Sequence, residues 1–159
     1  MKKFIAVISL ILAAAFLSTA SIAADIPTLP KIKGWKCGEL KQTKFNTVSG
    51  YRGQWLEREY RTNEGVPIHA IWIDGAGPKG WEVPDENSNT HKGYMPPQAT
   101  YKTLKVAGHR AAFEQDQMMG ISLAIRLPNG VLTLESLMAT EAEAISAAND
   151  TVCFPTMLI

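Results

Sequence analysis

The chain has 159 residues, with 16 Lys and Arg against 15 Asp and Glu, a formal net charge of +1 and 46% hydrophobic residues. That length supports one ordinary domain with a real core. The even charge balance, without any basic run, argues against electrostatic capture of nucleic acid.

The first residues read as an export signal. Lys2 and Lys3 form a positive start, residues 4–16 are almost continuously apolar, and Ser21-Ile22-Ala23-Ala24 offers small residues ahead of Asp25. The pattern predicts a signal peptide over residues 1–23, cleaved after Ala23 or Ala24, and a single globular domain over 24–159. The alternative is an uncleaved anchor, since residues 4–24 approach the roughly 20 apolar residues a spanning helix needs. Small and hydroxylated residues weaken the second half of the segment and favour cleavage. No cysteine stands at the cleavage region to carry a lipid. Cleavage leaves 14 basic against 15 acidic residues and no second apolar stretch long enough to span a bilayer. The expected location is the periplasm, or the medium beyond it.

An oxidising compartment gives the two cysteines meaning. Cys37 and Cys153 stand alone, far apart and without Cys-x-x-Cys spacing, so a structural disulfide is expected rather than a redox or metal thiol. Closing a loop of about 116 residues would contribute about 4–5 kcal/mol as an upper figure.

Residues 25–34 carry two prolines and read as an extended lead-in, and residues 36–46 fit either a short helix or a strand. Residues 54–62 alternate: Leu56, Arg58 and Tyr60 share one face, Trp55, Glu57 and Glu59 the other. Asn63-Glu64-Gly65 marks a turn and residues 68–74 a second strand, together a hairpin. Residues 75–100 are rich in Gly and Pro, contain the polar run Asp85-Glu86-Asn87-Ser88-Asn89, and exceed the usual loop ceiling of about 12–15 residues. Loops of that kind are functional or disordered. Strand signals return at residues 101–106, 110–115 (Ala111 and Phe113 inward), 121–127 and 131–134, with Asn129-Gly130 as a hairpin signal. The period then changes. Thr140-Glu-Ala-Glu143 is a capping box, and Ala142, Ile145, Ala148 and Val152 form an apolar stripe at helical spacing. The expected fold class is α+β, an antiparallel β-meander packed against a C-terminal helix.

The succession Gly108-His-Arg-Ala-Ala-Phe113-Glu, Gly120-Ile-Ser-Leu-Ala-Ile125, Leu132-Thr-Leu134-Glu-Ser and residues 141–148 resembles the second half of PsbP/Mog1-like domains and related small bacterial periplasmic proteins of unknown function. It covers residues 101–152. The resemblance implies an α/β sandwich and a binding or accessory role, and brings no catalytic residues.

Chemistry-bearing motifs are sparse. There is no Gly-x-Ser-x-Gly elbow, and the glycine-rich stretch from Asp74 to Trp81 lacks the Gly-Lys-Ser/Thr of a phosphate loop. Asp85, Asn87 and Asn89 copy three EF-hand positions, but Thr90 and Pro96 stand where glycine and a bidentate Glu are required. His91 and Met95, four apart, are the candidate metal ligands, an imidazole and a thioether that suit copper. Trp72, Trp81, Tyr94 and Tyr101 flank or occupy the long loop and are the candidate contact residues for a ligand or partner. The reading is a non-catalytic module, without a cofactor, that binds an unknown protein or small ligand through residues 75–100 and the adjacent sheet face. The alternatives are an enzyme using His91, His109 or Asp74, and a structural subunit of an envelope complex.

Overall fold

A computed structural model describes residues 29–48, 50–75, 77–84 and 99–152. Residues 1–28, residues 85–98 (with His91, Tyr94 and Met95) and Cys153 lie outside the described residues. Eight strands form one sheet, antiparallel throughout: β1 (Lys36–Cys37), β2 (Lys41–Thr47), β3 (Gly50–Arg61), β4 (Pro67–Asp74), β5 (Ala99–Val106), β6 (His109–Asp116), β7 (Gly120–Leu127) and β8 (Gly130–Ser136). Helix α1 (Glu141–Val152) follows. The α+β class is as expected, and the ambiguous residues 36–46 supply two strands.

The meander expectation needs one refinement. Lateral order is β1-β3-β4-β8-β7-β6-β5, with β2 beside β1 along the same side of β3. Two local meanders are thus joined edge to edge through the β4–β8 pair. The chain leaving β4 must cross β8, β7 and β6 to start β5, roughly 19 Å at about 4.8 Å per strand. Residues 77–84 make that crossing and already reach β5, while residues 85–98 lie outside the described residues.

Alternation assigns the two faces. Leu56, Tyr60, Ile68, Ala70, Trp72, Ala111, Phe113, Leu123, Ile125, Leu132 and Leu134 turn to one side and are buried there beneath α1, with Leu29 and Ile32 of the lead-in closing the core. Tyr60 donates its hydroxyl to the carbonyl of Pro30 at 2.8 Å, which ties the lead-in to β3. The helix begins near β5, where Lys102 pairs with Glu141, and ends over β3, where Thr151 lies beside Tyr60 and donates its hydroxyl to the Ala147 carbonyl.

The capping box forms as its spacing predicts. Thr140 N donates to Glu143 Oε2 at 2.7 Å, and Glu143 N donates back to Thr140 Oγ1 at 3.3 Å. The buried stripe is different from the expected one: Ala144, Ala147, Ala148 and Thr151 face the sheet, Ile145 and Val152 only flank it, and Ala142 is exposed. Small side chains let the helix axis approach the sheet, a requirement that ranking residues by hydrophobicity overlooks. The Asn129-Gly130 signal also shifts. Leu127 pairs with Gly130, so Pro128 and Asn129 occupy the corner and the glycine lies in the strand. An added Cβ there would meet Trp72 Cη2 at 2.7 Å and the Ile73 carbonyl oxygen at 2.1 Å, so Gly130 makes room for the tryptophan rather than for a turn.

Candidate functional site

The sheet face opposite α1 carries the site. Register lines its residues into lateral rungs. One rung runs Glu59, His69, Glu135, Ser122, Glu114, Tyr101 across six strands. The next runs Glu57, Ile71, Thr133, Ala124, Ala112, Thr103. Beyond it, Trp55, Ile73 and Val131 continue into Arg126, with Arg110 on β6. The face therefore grades from acidic, through small and apolar, to apolar and basic.

The chain leaving β4 settles on the last of these levels. Gly75 has φ +105°, and a Cβ on it would lie 2.7 Å from Gly53 Cα and 2.1 Å from the Arg52 carbonyl oxygen, so only glycine permits this exit. A short 3-10 turn, Pro78–Gly80, follows. Arg126 Nη1 then donates to the Pro78 carbonyl at 3.2 Å, and Arg110 Nη2 to the Val83 carbonyl at 3.0 Å. Thr103 Oγ1 donates to the Pro84 carbonyl at 2.8 Å. β7, β6 and β5 thus hold residues 78–84 in sequence, and Val83 is buried beneath them.

Between this strap and the sheet lies an open groove of about 400 Å³, lined by Ile73, Gly77, Pro78, Trp81, Ala124, Val131 and Thr133. Apolar lining with a few polar groups is the usual character of a binding cleft, and the volume lies in the range of small-molecule sites. A neighbouring cleft of about 290 Å³ extends the apolar surface over Thr43, Phe45 and Trp55 towards Lys41 and Glu57.

A third, polar cavity of about 490 Å³ opens at the sheet edge, lined by Gly38, Glu39, Lys41, Glu57, Arg58, Glu59 and His69. It lies where the chain passes from β1 to β2, just after the Gly38 amide donates to the Glu59 carbonyl at 2.8 Å. Lys41 Nζ lies 3.0 Å from Glu57 Oε1, and this hydrogen bond holds the carboxyl below its ordinary range. His69 Nε2 is 3.7 Å from the other Glu57 oxygen. At the opposite end of the acidic rung, Tyr101 donates to Glu114 at 2.8 Å, which pushes the phenol pKa up. Among the described residues no three His, Cys, Asp or Glu side chains converge as metal ligands.

The sequence-predicted residues separate. Trp81 lines the groove, and Tyr101 lies on the same face at the acidic level. Trp72 is fully buried on the helix side, with no surface left for a partner. Tyr94, His91 and Met95 lie outside the described residues, so the pairing of the two candidate metal ligands has no geometry here. His109 and Asp74 stand on β6 and β4 with two strands between them, roughly 14 Å apart at the usual strand spacing. Asp74 accepts from Gln54 N at 2.8 Å and Gln54 Nε2 at 2.9 Å. They do not form one site.

Trp55, Ile73 and Val131 were not legible as site residues from motifs. A usable signal exists in the continuous apolar run of β4, which is apolar on both faces although only one can meet the helix. Cys37 is half-buried, with Sγ 3.6 Å from the Trp35 carbonyl oxygen, and it pairs in register with Tyr60. No described helix is long and apolar enough to cross a membrane. Comparison with protein-family models, with curated proteins and with solved structures finds no match to this chain.

Proposed function

We propose that this protein is an exported, non-catalytic binding module that receives a partner protein or small ligand on its open sheet face, beside the strap of residues 77–84. The groove between Trp81 and Ile73, Ala124, Val131 and Thr133 carries the reading, because it leaves apolar surface accessible where a merely structural strap would be packed flat. Charge adds a direction. Arg110 and Arg126, with Glu82 beside them, border one side and the Glu59–Glu135–Glu114 rung the other, so an occupant is oriented as well as held.

Export and the Cys37–Cys153 disulfide belong to the same proposal. Thr151, two residues before Cys153, contacts Tyr60, the strand partner of Cys37, and this supports a bridge between helix end and lead-in. The PsbP/Mog1-like resemblance is kept as the finer fold reading, supported by the consecutive hairpins β5 to β8 followed directly by α1.

The test is titration with anilinonaphthalene sulfonate, an amphipathic fluorescent probe. Wild type should bind it in the groove, and Thr133→Arg, which fills the groove from an outward-facing strand position, should lose that enhancement without loss of fold. Equal enhancement in both would remove the groove as the binding site.

A further inference from the structure

Four large apolar side chains stand in solvent at one end of the sheet: Met118 is 74% exposed, Met119 75%, Leu137 72% and Met138 70%. They come from two connections, the β6–β7 turn and the link from β8 to α1. The two lie side by side. Ile121 pairs with Ser136, and a Cβ added to Gly120 would fall 2.6 Å from Leu137 Cα.

Both connections are held in shape by a preceding side chain. Asp116 Oδ1 accepts from Met118 N at 2.7 Å and Met119 N at 2.8 Å. Ser136 Oγ accepts from Met138 N at 3.1 Å and Ala139 N at 2.9 Å, while donating to the Pro67 carbonyl at 2.6 Å. With these amides satisfied locally, the backbone fixes which residues turn inward. Ala139 goes in; the two methionines of the first turn, Leu137 and Met138 are held out. Contiguous exposed apolar surface of this kind marks an interaction site, and thioether side chains adapt their shape to an occupant.

The surrounding charge selects that occupant. Residues 111–159 contain six acidic residues and one basic residue, Arg126, whose guanidinium is engaged at the other end of the sheet by Pro78 and Gly130. Asp116, Glu135 and Glu141 lie within three residues of the four apolar ones, and the nearby cations Lys102 and Arg61 are already paired with Glu141 and Glu59. An anionic lipid surface would be repelled, and a second copy would set one acidic rim against another.

We infer that this end of the sheet is a second docking surface, for a polypeptide segment whose apolar side chains are flanked by Lys or Arg, as on a cationic amphipathic helix. It lies at the end of the sheet rather than in the groove, although Glu135 borders both surfaces, and it does not depend on the groove's assignment.

The test is fluorescence anisotropy with a labelled amphipathic helix built of Leu and Lys, titrated with the full chain at low and at physiological salt. Saturable binding is expected, weaker at higher salt, and absent for the same peptide with Glu in place of Lys. The Met118→Gln/Met119→Gln/Met138→Gln variant should bind roughly tenfold more weakly, as loss of an apolar anchor predicts. Glu135→Lys, which alters charge without touching the turns, should also weaken binding and keeps the test decisive if the triple variant does not fold. Thr133→Arg should bind as wild type does. The inference is overturned by no binding, by equal binding of the Glu peptide, by wild-type affinity in Glu135→Lys, or by loss in Thr133→Arg alone. It is equally overturned if the exposed methionines instead support self-association in sedimentation or flotation with phosphatidylglycerol vesicles.

Discussion

Arg126 on β7 donates from Nη1 to the carbonyl oxygens of both Pro78 and Gly130, each at 3.2 Å. One side chain therefore joins the strap to the β7–β8 hairpin that it crosses. A flexible connection becomes one wall of a groove because a guanidinium, planar and rich in donors, can serve two acceptors at once.

Replacing Arg126 with Met keeps the aliphatic stem and removes the donors. Unfolding in urea should show a loss of about 1–2 kcal/mol, the range for hydrogen bonds from a charged donor at a partly exposed position. Hydrogen exchange should accelerate in residues 77–84 while the central strands keep their protection. Unchanged exchange there would mean that the strap is held by other contacts.

The two tryptophans on opposite faces should behave oppositely. Trp72→Ala empties a fully buried position and should cost about 3–5 kcal/mol, measurable as a shift in the urea midpoint. Trp81→Ala removes one wall of an open groove and should cost below about 1 kcal/mol, while abolishing the bound-probe fluorescence.

Two of the shifted groups carry a pH-dependent share of stability that can be tested. Burial pushes Tyr60 from its ordinary value of 10.0 up to about 12, so its contribution is complete below pH 10 and is lost as pH rises from 10 towards 12. Tyr60→Phe should remove the part of the alkaline decline that tracks tyrosinate absorbance. At the acid end, the Thr140 amide and hydroxyl hold Glu143 below its ordinary 4.5, so the cap stabilises above that value and fails as pH falls below it. Thr140→Ala should cost about 1 kcal/mol at neutral pH and flatten this acid limb.

Thiol counting addresses the proposed bridge. The unreduced, unfolded protein should show no free sulfhydryl, and reduction or Cys37→Ser should lower stability by up to about 4–5 kcal/mol. Two reactive thiols in the unreduced protein would refute the pairing.

How much was legible beforehand follows from the range of each interaction. The β3–β4 hairpin, the alternation of β5 to β8 and the Thr140 cap depend on residues a few positions apart, and periodicity exposes them. The pairing of β4 with β8 joins Trp72 to Leu132, sixty residues on, and no local pattern encodes it. The long connection was therefore visible only as an anomaly of length, and its course over β8, β7 and β6 only once the strand order is known. The site suffered the same way. Trp81 was readable as an aromatic beside a loop, whereas Ile73, Val131 and Ala124 become a groove wall only once three strands lie side by side. Trp72, drawn by the same aromatic rule, belongs to the core because strand alternation sends it to the helix side.

Photocross-linking from the open face tests the central claim most directly. A benzoylphenylalanine replacing Thr133, beneath the strap, should give one discrete adduct when the protein is irradiated in the cells that produce it, and the same group replacing Ser146 on the exposed side of α1 should give none. Adducts from Ser146 alone, or an identical smear from both, would contradict the account.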